Sequence, residues 1–370
     1  MARLTPSSLL HRLILCIGLP AVFGLALWFS PADRVESEPV AAQRDVELFK
    51  AVVRQMENGQ PYYEVFGSEL RTRGYPARSV FNWRQPLVYR MLAFLPFNTS
   101  QFLLIALSLA LFVEAVRTVK PNVVGVLMVG GLVLLMALDD IRYFTESWAG
   151  ACIGLSVLAY ARGRAVTGAV CGLLALFVRE LAAPYCILAT LLAVRDRRWP
   201  EVRVWAVGAA LYGVYYALHS WQAFQHMQPG DFTHVNSWLY WGGLPFLLKT
   251  WQWNGLLALA PSWVLALAVV AMVVAWWAPQ MPLHLQISVL VYSALFFAVG
   301  QPFNSYWGLL TAPIMALWLA YSPQGLRGLL ANAGFDLVLG FHPRPDLARV
   351  GPADRPPNRQ DGHRRLADGA

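Results

Sequence analysis

The chain has 370 residues, of which 57% are hydrophobic and 14% are charged, and its formal net charge is +8. Soluble domains carry charge on about a quarter of their residues, so this composition excludes an ordinary soluble globular protein. Charge is dense in residues 30–98 and 323–370 but sparse in residues 99–322. The middle of the chain therefore has the composition of a membrane domain, and the net charge alone does not indicate nucleic-acid binding.

Apolar runs follow one another at short intervals and predict an all-α, polytopic bundle of about ten transmembrane helices. Several runs are shorter than the roughly 20 residues that cross a bilayer comfortably, but flanking Trp and Arg allow such helices to cross. Residues 239–250 contain too many breaks for a span and are interpreted as an interfacial segment. The runs cover residues 13–29, 101–116, 122–138, 148–161, 165–178, 181–194, 202–219, 254–277, 284–300 and 306–321.

Positive charge concentrates in every second connection between these runs, which marks the cytoplasmic side of a membrane. The alternation predicts a multi-pass protein of the cell inner (cytoplasmic) membrane, with residues 1–12 in the cytoplasm and residues 30–98 outside. Residues 323–370 are rich in Pro, Arg, Asp and Gly and predict a disordered cytoplasmic tail. The first run could instead be a signal peptide, but Trp28-Phe29-Ser30-Pro31 offers no small-residue cleavage site, so an uncleaved span is favoured.

Residues 30–98, hereafter the long loop, join the first two predicted spans. Residues 45–57 predict an amphipathic helix, which the turn sequence Asn58-Gly59-Gln60-Pro61 ends. A second apolar stripe predicts a helix on the membrane surface and consists of Leu87, Val88, Met91, Leu92 and Leu95. Such helices place polar groups at the mouth of a membrane cavity, where lipid-linked and aqueous substrates can meet.

Short motifs follow one another along the loop and beyond it. In the loop they are Asp45-Val46-Glu47-Leu48-Phe49, Gly59-Gln60-Pro61-Tyr62-Tyr63, Gly74-Tyr75-Pro76 and Phe81-Asn82-Trp83-Arg84-Gln85-Pro86-Leu87. Later ones are Thr145-Glu146-Ser147-Trp148, Arg179-Glu180 and Asn304-Ser305-Tyr306-Trp307-Gly308. In this order they resemble the GT-C superfamily of membrane glycosyltransferases, and most of all its bacterial mannosyltransferase-like branches, within a membrane domain of residues 13–322.

The resemblance implies an enzyme that moves a sugar from a polyprenyl-phosphate donor to an outer-face glycan, lipid or protein acceptor, with inversion. It also implies that Asp45 is the catalytic base. A carboxylate in a partly dehydrated cavity suits this task, because burial raises its pKa toward the working range. Asp45 could alternatively cap the N-terminus of its helix, and the two roles are compatible.

The acids of the first loop depart from the family pattern. Many members carry paired acids there, whereas Glu47 follows Asp45 at a spacing of two residues. Glu47 is interpreted as a solvated acid of the first helical turn. The sequence therefore requires no cofactor, while a divalent metal ion remains an option.

Charged residues at the outer boundary are candidates for substrate binding. Arg179 and Glu180 lie between two apolar runs, where charges usually have a partner or a ligand. A guanidinium can donate two hydrogen bonds to a phosphate, which makes Arg179 and Arg84 candidate ligands of the donor. Trp83 is a candidate for stacking on a sugar or isoprenoid. Each of these side chains could instead serve as an anchor at the membrane interface.

Three acids and one base crowd the next outer turn. Asp139, Asp140, Arg142 and Glu146 could bind sugar hydroxyls or a divalent ion held by oxygen ligands. An ordinary solvated loop is the alternative. Glu146 is favoured as a substrate-binding residue because it stands at the entry of a predicted span.

Histidines and aromatic residues near the other outer connections are given structural roles. His219, His226 and His234 are spaced by seven and eight residues, which fits no helical metal site and predicts a solvated loop. Tyr306 and Trp307 are interpreted as aromatic residues of the membrane interface, with contact to the lipid donor as the alternative.

A polytopic transporter or a flippase for lipid-linked glycans is the competing function, and a scaffold subunit of an envelope assembly is a third. Transport is typically associated with repeats and with broken helices that carry charge near mid-membrane. No repeat is evident in the sequence, and the conspicuous charges gather at the outer boundary. The sequence therefore favours a membrane glycosyltransferase.

Overall fold

The computed structural model describes residues 6–29, 38–119, 122–233 and 240–335. Regular secondary structure in these ranges is helical throughout, which confirms the predicted all-α class. The α-helices are Pro6–Leu13, Leu19–Phe29, Glu38–Glu57, Tyr62–Thr72, Pro86–Phe94, Phe97–Thr118, Val123–Met136, Thr145–Ala161, Ala165–Val178, Ala183–Arg195, Trp199–His226, Gly243–Trp251, Ser262–Ala275, Leu283–Ala298, Gly308–Leu319 and Ser322–Asn332.

Short helical turns connect several of these helices. A π-helical turn, Ile14–Gly18, joins the first two α-helices into one continuous helix. Turns of 3₁₀-helix occupy Val80–Asn82, Asp139–Tyr143, Glu180–Ala182, Gly255–Ala258 and Pro302–Trp307.

Most predicted apolar runs coincide with a helix, but the run 254–277 is divided into the turn Gly255–Ala258 and the helix Ser262–Ala275. Within the described part of the chain, two helices are long and apolar enough to cross a membrane, Ser7–Phe29 and Phe97–Thr118. Four shorter helices are apolar as well, namely Val123–Met136, Ala165–Val178, Ser262–Ala275 and Leu283–Ala298. A bundle of about ten spans therefore remains a prediction.

The helix Gly308–Leu319 forms the centre of the molecule. Every one of its residues is buried, because it is apolar on all sides and other helices surround it. Thr145–Ala161 packs so closely on it that a Cβ atom at Gly150 would lie 2.5 Å from the carbonyl oxygen of Leu309. A glycine is therefore needed at this crossing.

The long loop contains three α-helices that pack against one another. The first, Glu38–Glu57, begins before the predicted position and ends at the predicted turn. Its predicted apolar stripe is confirmed, since Val46, Phe49, Val52 and Val53 are buried. This helix also packs against the turns Asp139–Tyr143 and Pro302–Trp307, which brings Asp45 close to Tyr306.

The second stripe of the long loop forms the helix Pro86–Phe94, but it does not present a single face. Val88 and Leu92 are buried, whereas Leu87 and Phe94 are exposed. The buried pair anchors the helix against the rest of the loop, and the exposed pair leaves apolar surface available to a lipid boundary.

Three boundaries differ from the predictions. The predicted loop at residues 220–238 is helical up to His226, and residues 239–250 include the helix Gly243–Trp251. The helix Ser322–Asn332 covers the start of the predicted tail. His234 and the remainder of the tail, residues 336–370, lie outside the described residues.

Candidate active site

A cavity of about 300 Å³ opens between the long loop and the turn before the central helix. We call it the Asp45 cavity. Its lining combines charged and polar side chains with apolar ones, as the lining of most ligand sites does. The lining residues are Arg44, Asp45, Leu48, Phe49, Phe66, Leu70, Gly74, Tyr75, Pro76, Asn82, Arg84, Phe303, Asn304 and Tyr306.

Asp45 contributes a carboxyl group to the lining of this cavity. Its Oδ1 atom accepts a hydrogen bond of 2.5 Å from the hydroxyl of Tyr75. Burial raises the pKa of Asp45 above its ordinary value, although hydrogen bonds from Tyr75 and Tyr306 and the charge of Arg84 oppose this shift. A carboxyl group with a raised pKa is a stronger proton acceptor than an exposed one.

Arg84 lines the same cavity as Asp45. Its Nη2 atom donates a hydrogen bond of 2.5 Å to the hydroxyl of Tyr306. The guanidinium carbon lies 5.8 Å from the ring centre of Phe49 and 5.9 Å from that of Tyr306. The backbone is fixed as well, because Tyr62 donates a hydrogen bond of 2.5 Å to the carbonyl oxygen of Arg84. Aromatic rings and a hydroxyl thus hold this cation in place.

Carboxylates behind the cavity act on the charge of Arg84. Burial alone would lower the pKa of Arg84, but Tyr306, Glu146 and Glu180 outweigh it, and its pKa lies above the ordinary value. Arg84 therefore keeps its positive charge in a largely dehydrated position, where it attracts an anion more strongly than in water.

Glu146, Arg179 and Glu180 form a group that we call the Arg179 cluster. Arg179 is 2% exposed and Glu146 is 1% exposed, and Nε of Arg179 lies 2.9 Å from Oε1 of Glu146. A second hydrogen bond joins Nη1 of Arg179 to Oε1 of Glu180. Neither Glu146, Arg179 nor Glu180 lines the Asp45 cavity. The charges of these three residues therefore compensate one another in this structure, and their predicted role in substrate binding stays a prediction.

The turn at Asp139–Tyr143 does not gather its acids around one point. Asp140 instead pairs with Lys50, whose Nζ atom lies 2.6 Å from Oδ1. Arg142 is buried and donates hydrogen bonds of 2.9 Å to the carbonyl oxygen of Phe97 and to Oγ of Ser100. Asp140 and Arg142 therefore stabilise the packing of this turn against the neighbouring helices.

No metal centre is evident in the part of the chain that the structure describes, since no group of three or more His, Cys, Asp or Glu side chains there could hold an ion. Glu47, the other acid of the first loop helix, has an exposed side chain and a 3.4 Å contact with Lys50. Glu47 therefore points away from a shared site with Asp45, as expected for a solvated acid.

Trp83 and His219 are structural residues. Trp83 is 2% exposed, and its Nε1 atom donates a hydrogen bond of 2.8 Å to the carbonyl oxygen of Ala77, so stacking on a ligand is wrong for this conformation. His219 is also buried, with ring nitrogens 3.0 Å from the hydroxyl of Tyr63 and 3.1 Å from the carbonyl oxygen of Trp83. The solvated loop predicted at His219 is therefore wrong, because the Trp199–His226 helix packs on the long loop.

Tyr75 and Asn304 are cavity residues to which sequence reasoning gave no catalytic or binding role, and Tyr306 was given contact with the lipid donor only as an alternative. All three lie in motifs that carry the family resemblance, and only this membership in the motifs could have identified them from the sequence. Tyr306 is 1% exposed within the protein, which differs from its interpretation as a residue of the membrane interface. Its partner Arg84 is 222 positions away in the chain, so the pairing has no local sequence pattern.

Comparisons of the chain with models of protein families, with curated proteins and with solved structures give no match. The functional argument therefore depends on the geometry of the Asp45 cavity and on the motifs of the chain.

Proposed function

We propose that the protein is a GT-C-type membrane glycosyltransferase that moves a hexose from a polyprenyl-phosphate donor to an acceptor of the cell envelope. One observation carries the proposal: Asp45, a proton acceptor with a raised pKa, and Arg84, a fixed cation, line the same cavity. Transfer of a sugar from a phosphate needs a base on the acceptor side and a positive charge on the leaving-group side.

The membrane part of the proposal is a multi-pass protein of the inner membrane with both termini in the cytoplasm. Two helices with the length and composition of spans support it, as does the positive charge in alternate connections. In this orientation the long loop and the Asp45 cavity face outward. Polyprenyl-linked sugars and envelope acceptors would meet there.

In the proposed reaction, the acceptor hydroxyl lies against Asp45. Its oxygen attacks the anomeric carbon of the donor sugar as its proton passes to the carboxylate of Asp45. The new carbon–oxygen bond forms while the bond from the anomeric carbon to the phosphate oxygen breaks. Attack opposite the leaving group inverts the anomeric configuration and needs no covalent sugar–enzyme intermediate.

Arg84 would bind the donor phosphate and stabilise it as it leaves with the bonding electron pair. A guanidinium suits this role, because it keeps its charge and presents several donors in one plane. Glu146 and Glu180 would act through Arg84 rather than on substrate, by supporting its charge from behind the cavity. The apolar wall, which includes Leu48, Phe66 and Phe303, could accept the sugar face or the first isoprene units.

The proposal requires no cofactor, because the two side chains supply both charges that the reaction needs. Its partners are a polyprenyl-phosphate-linked sugar, an envelope acceptor (glycan, lipid or protein) and the bilayer, with no nucleic acid. The divalent metal ion left open by the sequence is not used in any step.

Transfer of a radiolabelled sugar tests the proposal. Purified protein in lipid nanodiscs would be given polyprenyl-phosphate hexoses and an envelope extract as the source of acceptors. We expect the wild type to transfer label and Asp45→Asn to lose at least 100-fold of the rate, as general bases contribute about 10²–10⁴-fold. Glu47→Gln is the matched control, because it removes a carboxylate from the same helix outside the cavity, and its rate should not change.

A polytopic transporter or flippase would give another result. In sealed proteoliposomes, label would then cross the bilayer on its lipid without appearing in an acceptor, in the wild type and in Asp45→Asn alike. That outcome would contradict the proposed enzyme.

A further inference from the structure

Asn304 lines the Asp45 cavity, and its side-chain amide contains a polar atom without a partner. Asn304 is 3% exposed, and its Nδ2 atom has no hydrogen-bond partner among the described residues. Buried polar groups in folded proteins nearly always have partners, and an orphaned donor costs free energy. An exception inside a cavity with charged walls calls for a functional explanation.

A second asparagine in the same cavity provides the comparison. Asn82 also lines it, but its Nδ2 atom donates a hydrogen bond of 2.6 Å to the carbonyl oxygen of Pro76. The Asn82 amide therefore stabilises the long loop, whereas the Nδ2 atom of Asn304 has no partner among the described residues. The backbone at Asn304 departs from helical geometry, with φ −92° and ψ 18°, within the turn Pro302–Trp307. This turn also carries Tyr306, the hydrogen-bond acceptor of Arg84.

We propose that the amide of Asn304 binds a hydroxyl group of the sugar ring carried by the donor and so selects the sugar. This inference rests on the proposed function. A primary amide both donates and accepts hydrogen bonds, which matches a hydroxyl group that does the same. The phosphate already has Arg84, whose charge is the stronger ligand for an anion.

The size of the cavity limits the sugar. A volume of about 300 Å³ lies at the lower end of the range for ligand sites, which is roughly 300–1,000 Å³. Such a space is large enough for one sugar ring with its phosphate. In the proposed complex, Asn304 contacts one hydroxyl of that ring.

Thermal unfolding separates this role from a structural one. Asn304→Ala removes an amide that has no partner, so its Tm should equal or exceed that of the wild type. Asn82→Ala, the matched variant from the same cavity, loses the bond to Pro76 and should have a lower Tm. Equal losses of Tm in both variants would contradict a ligand-binding role for Asn304.

Transfer from monodeoxy donors identifies the hydroxyl. The probes are polyprenyl-phosphate hexoses that each lack one hydroxyl of the ring. For the wild type, one of them should reduce kcat/KM roughly ten- to a hundredfold, because the buried amide is again left without a partner. In Asn304→Ala, kcat/KM should already be reduced by the same factor with the unmodified hexose donor. The deoxy donor that affects the wild type should cause no further reduction in this variant.

The results of these assays distinguish a failure of the proposed glycosyltransferase function from a failure of the role given to Asn304. Wild-type protein that transfers no sugar from any of these donors would overturn the proposed function and this inference together. Wild-type transfer with unchanged kcat/KM in Asn304→Ala, or with the same response to every deoxy donor in both proteins, would overturn the role of Asn304 alone.

Discussion

The carboxyl group of Asp45 has a pKa above its ordinary value because it is partly buried, whereas in an unfolded chain it titrates near 4. The folded protein therefore binds this proton more tightly than the unfolded chain does. As the pH rises through the raised pKa, ionisation of Asp45 lowers the free energy of unfolding. A residue placed for proton transfer thus reduces stability at the pH at which it works.

This linkage predicts that Asp45→Asn is more stable than the wild type at neutral pH. Asparagine has no charge to bury and can still accept the hydrogen bond from Tyr75. The difference in Tm should be largest at pH values above the raised pKa and should disappear near pH 4, measured by thermal unfolding in detergent. A lower Tm for Asp45→Asn at neutral pH would indicate a structural role such as a helix cap.

The hydroxyl of Tyr75 keeps the pKa of Asp45 from rising further, since its hydrogen bond favours the ionised carboxylate. Tyr75→Phe should therefore raise the pKa of Asp45 and move the acid limb of the pH profile of kcat/KM to higher pH. Tyr321→Phe, which changes a buried tyrosine outside the cavity, should leave the profile in place. A uniform loss of rate at every pH in Tyr75→Phe would contradict this account.

Single residues of the site could be predicted only in part. Asp45 and Arg84 follow from the motifs, and both line the cavity. Arg179 pairs with Glu146, which lies 33 positions earlier in the chain, and neither residue lines the cavity. No local pattern reveals whether a buried charge meets a ligand or another side chain, because both arrangements compensate it equally well.

The helix Tyr62–Thr72 packs against the segment that carries Arg84. Gly67, in the helix Tyr62–Thr72, lies against Trp83, the residue before Arg84. A Cβ atom at position 67 would lie 2.6 Å from Cη2 of the Trp83 ring. This ring is rigid and buried, so a side chain at position 67 cannot be accommodated without moving the Trp83–Arg84 segment.

We therefore expect Gly67→Ala to destabilise the protein by about 1–3 kcal/mol, the usual cost of overpacking. The better helix propensity of alanine offsets at most about 1 kcal/mol of this. Gly213 is the matched control, because it is helical and has open space around its Cα atom, so Gly213→Ala should be neutral or stabilising. Chemical unfolding of both variants measures the difference, and equal effects would contradict the role of Gly67.

Helices with a regular apolar pattern were predictable, while their ends were not. The stripe at residues 45–57 predicted the first loop helix because one face is consistently apolar. The helix Trp199–His226 continues past its predicted end at residue 219. Its polar last turns are stabilised by packing against the helix Tyr62–Thr72, and such a tertiary contact has no signal in the local sequence.

At the scale of the whole molecule, the distribution of apolar residues fixes where the helices lie but not how they pack. Most apolar runs coincide with a helix, and the helix Gly308–Leu319, whose residues are all buried, is central. The Asp45 cavity combines the long loop with a turn more than 200 residues further along the chain. This assembly depends on long-range packing, so the sequence could suggest its residues but could not place them together.

The central claim is that Arg84 binds the donor phosphate beside the base Asp45. Single-turnover transfer with a labelled polyprenyl-phosphate hexose, combined with donor binding by filter retention, tests it most directly. We predict that Asp45→Asn binds the donor with the wild-type Kd but transfers no sugar, and that Arg84→Gln weakens donor binding at least tenfold. Arg78→Gln, an exposed arginine of the same loop, should leave both unchanged. Wild-type donor binding in Arg84→Gln, or full transfer in Asp45→Asn, would contradict the account.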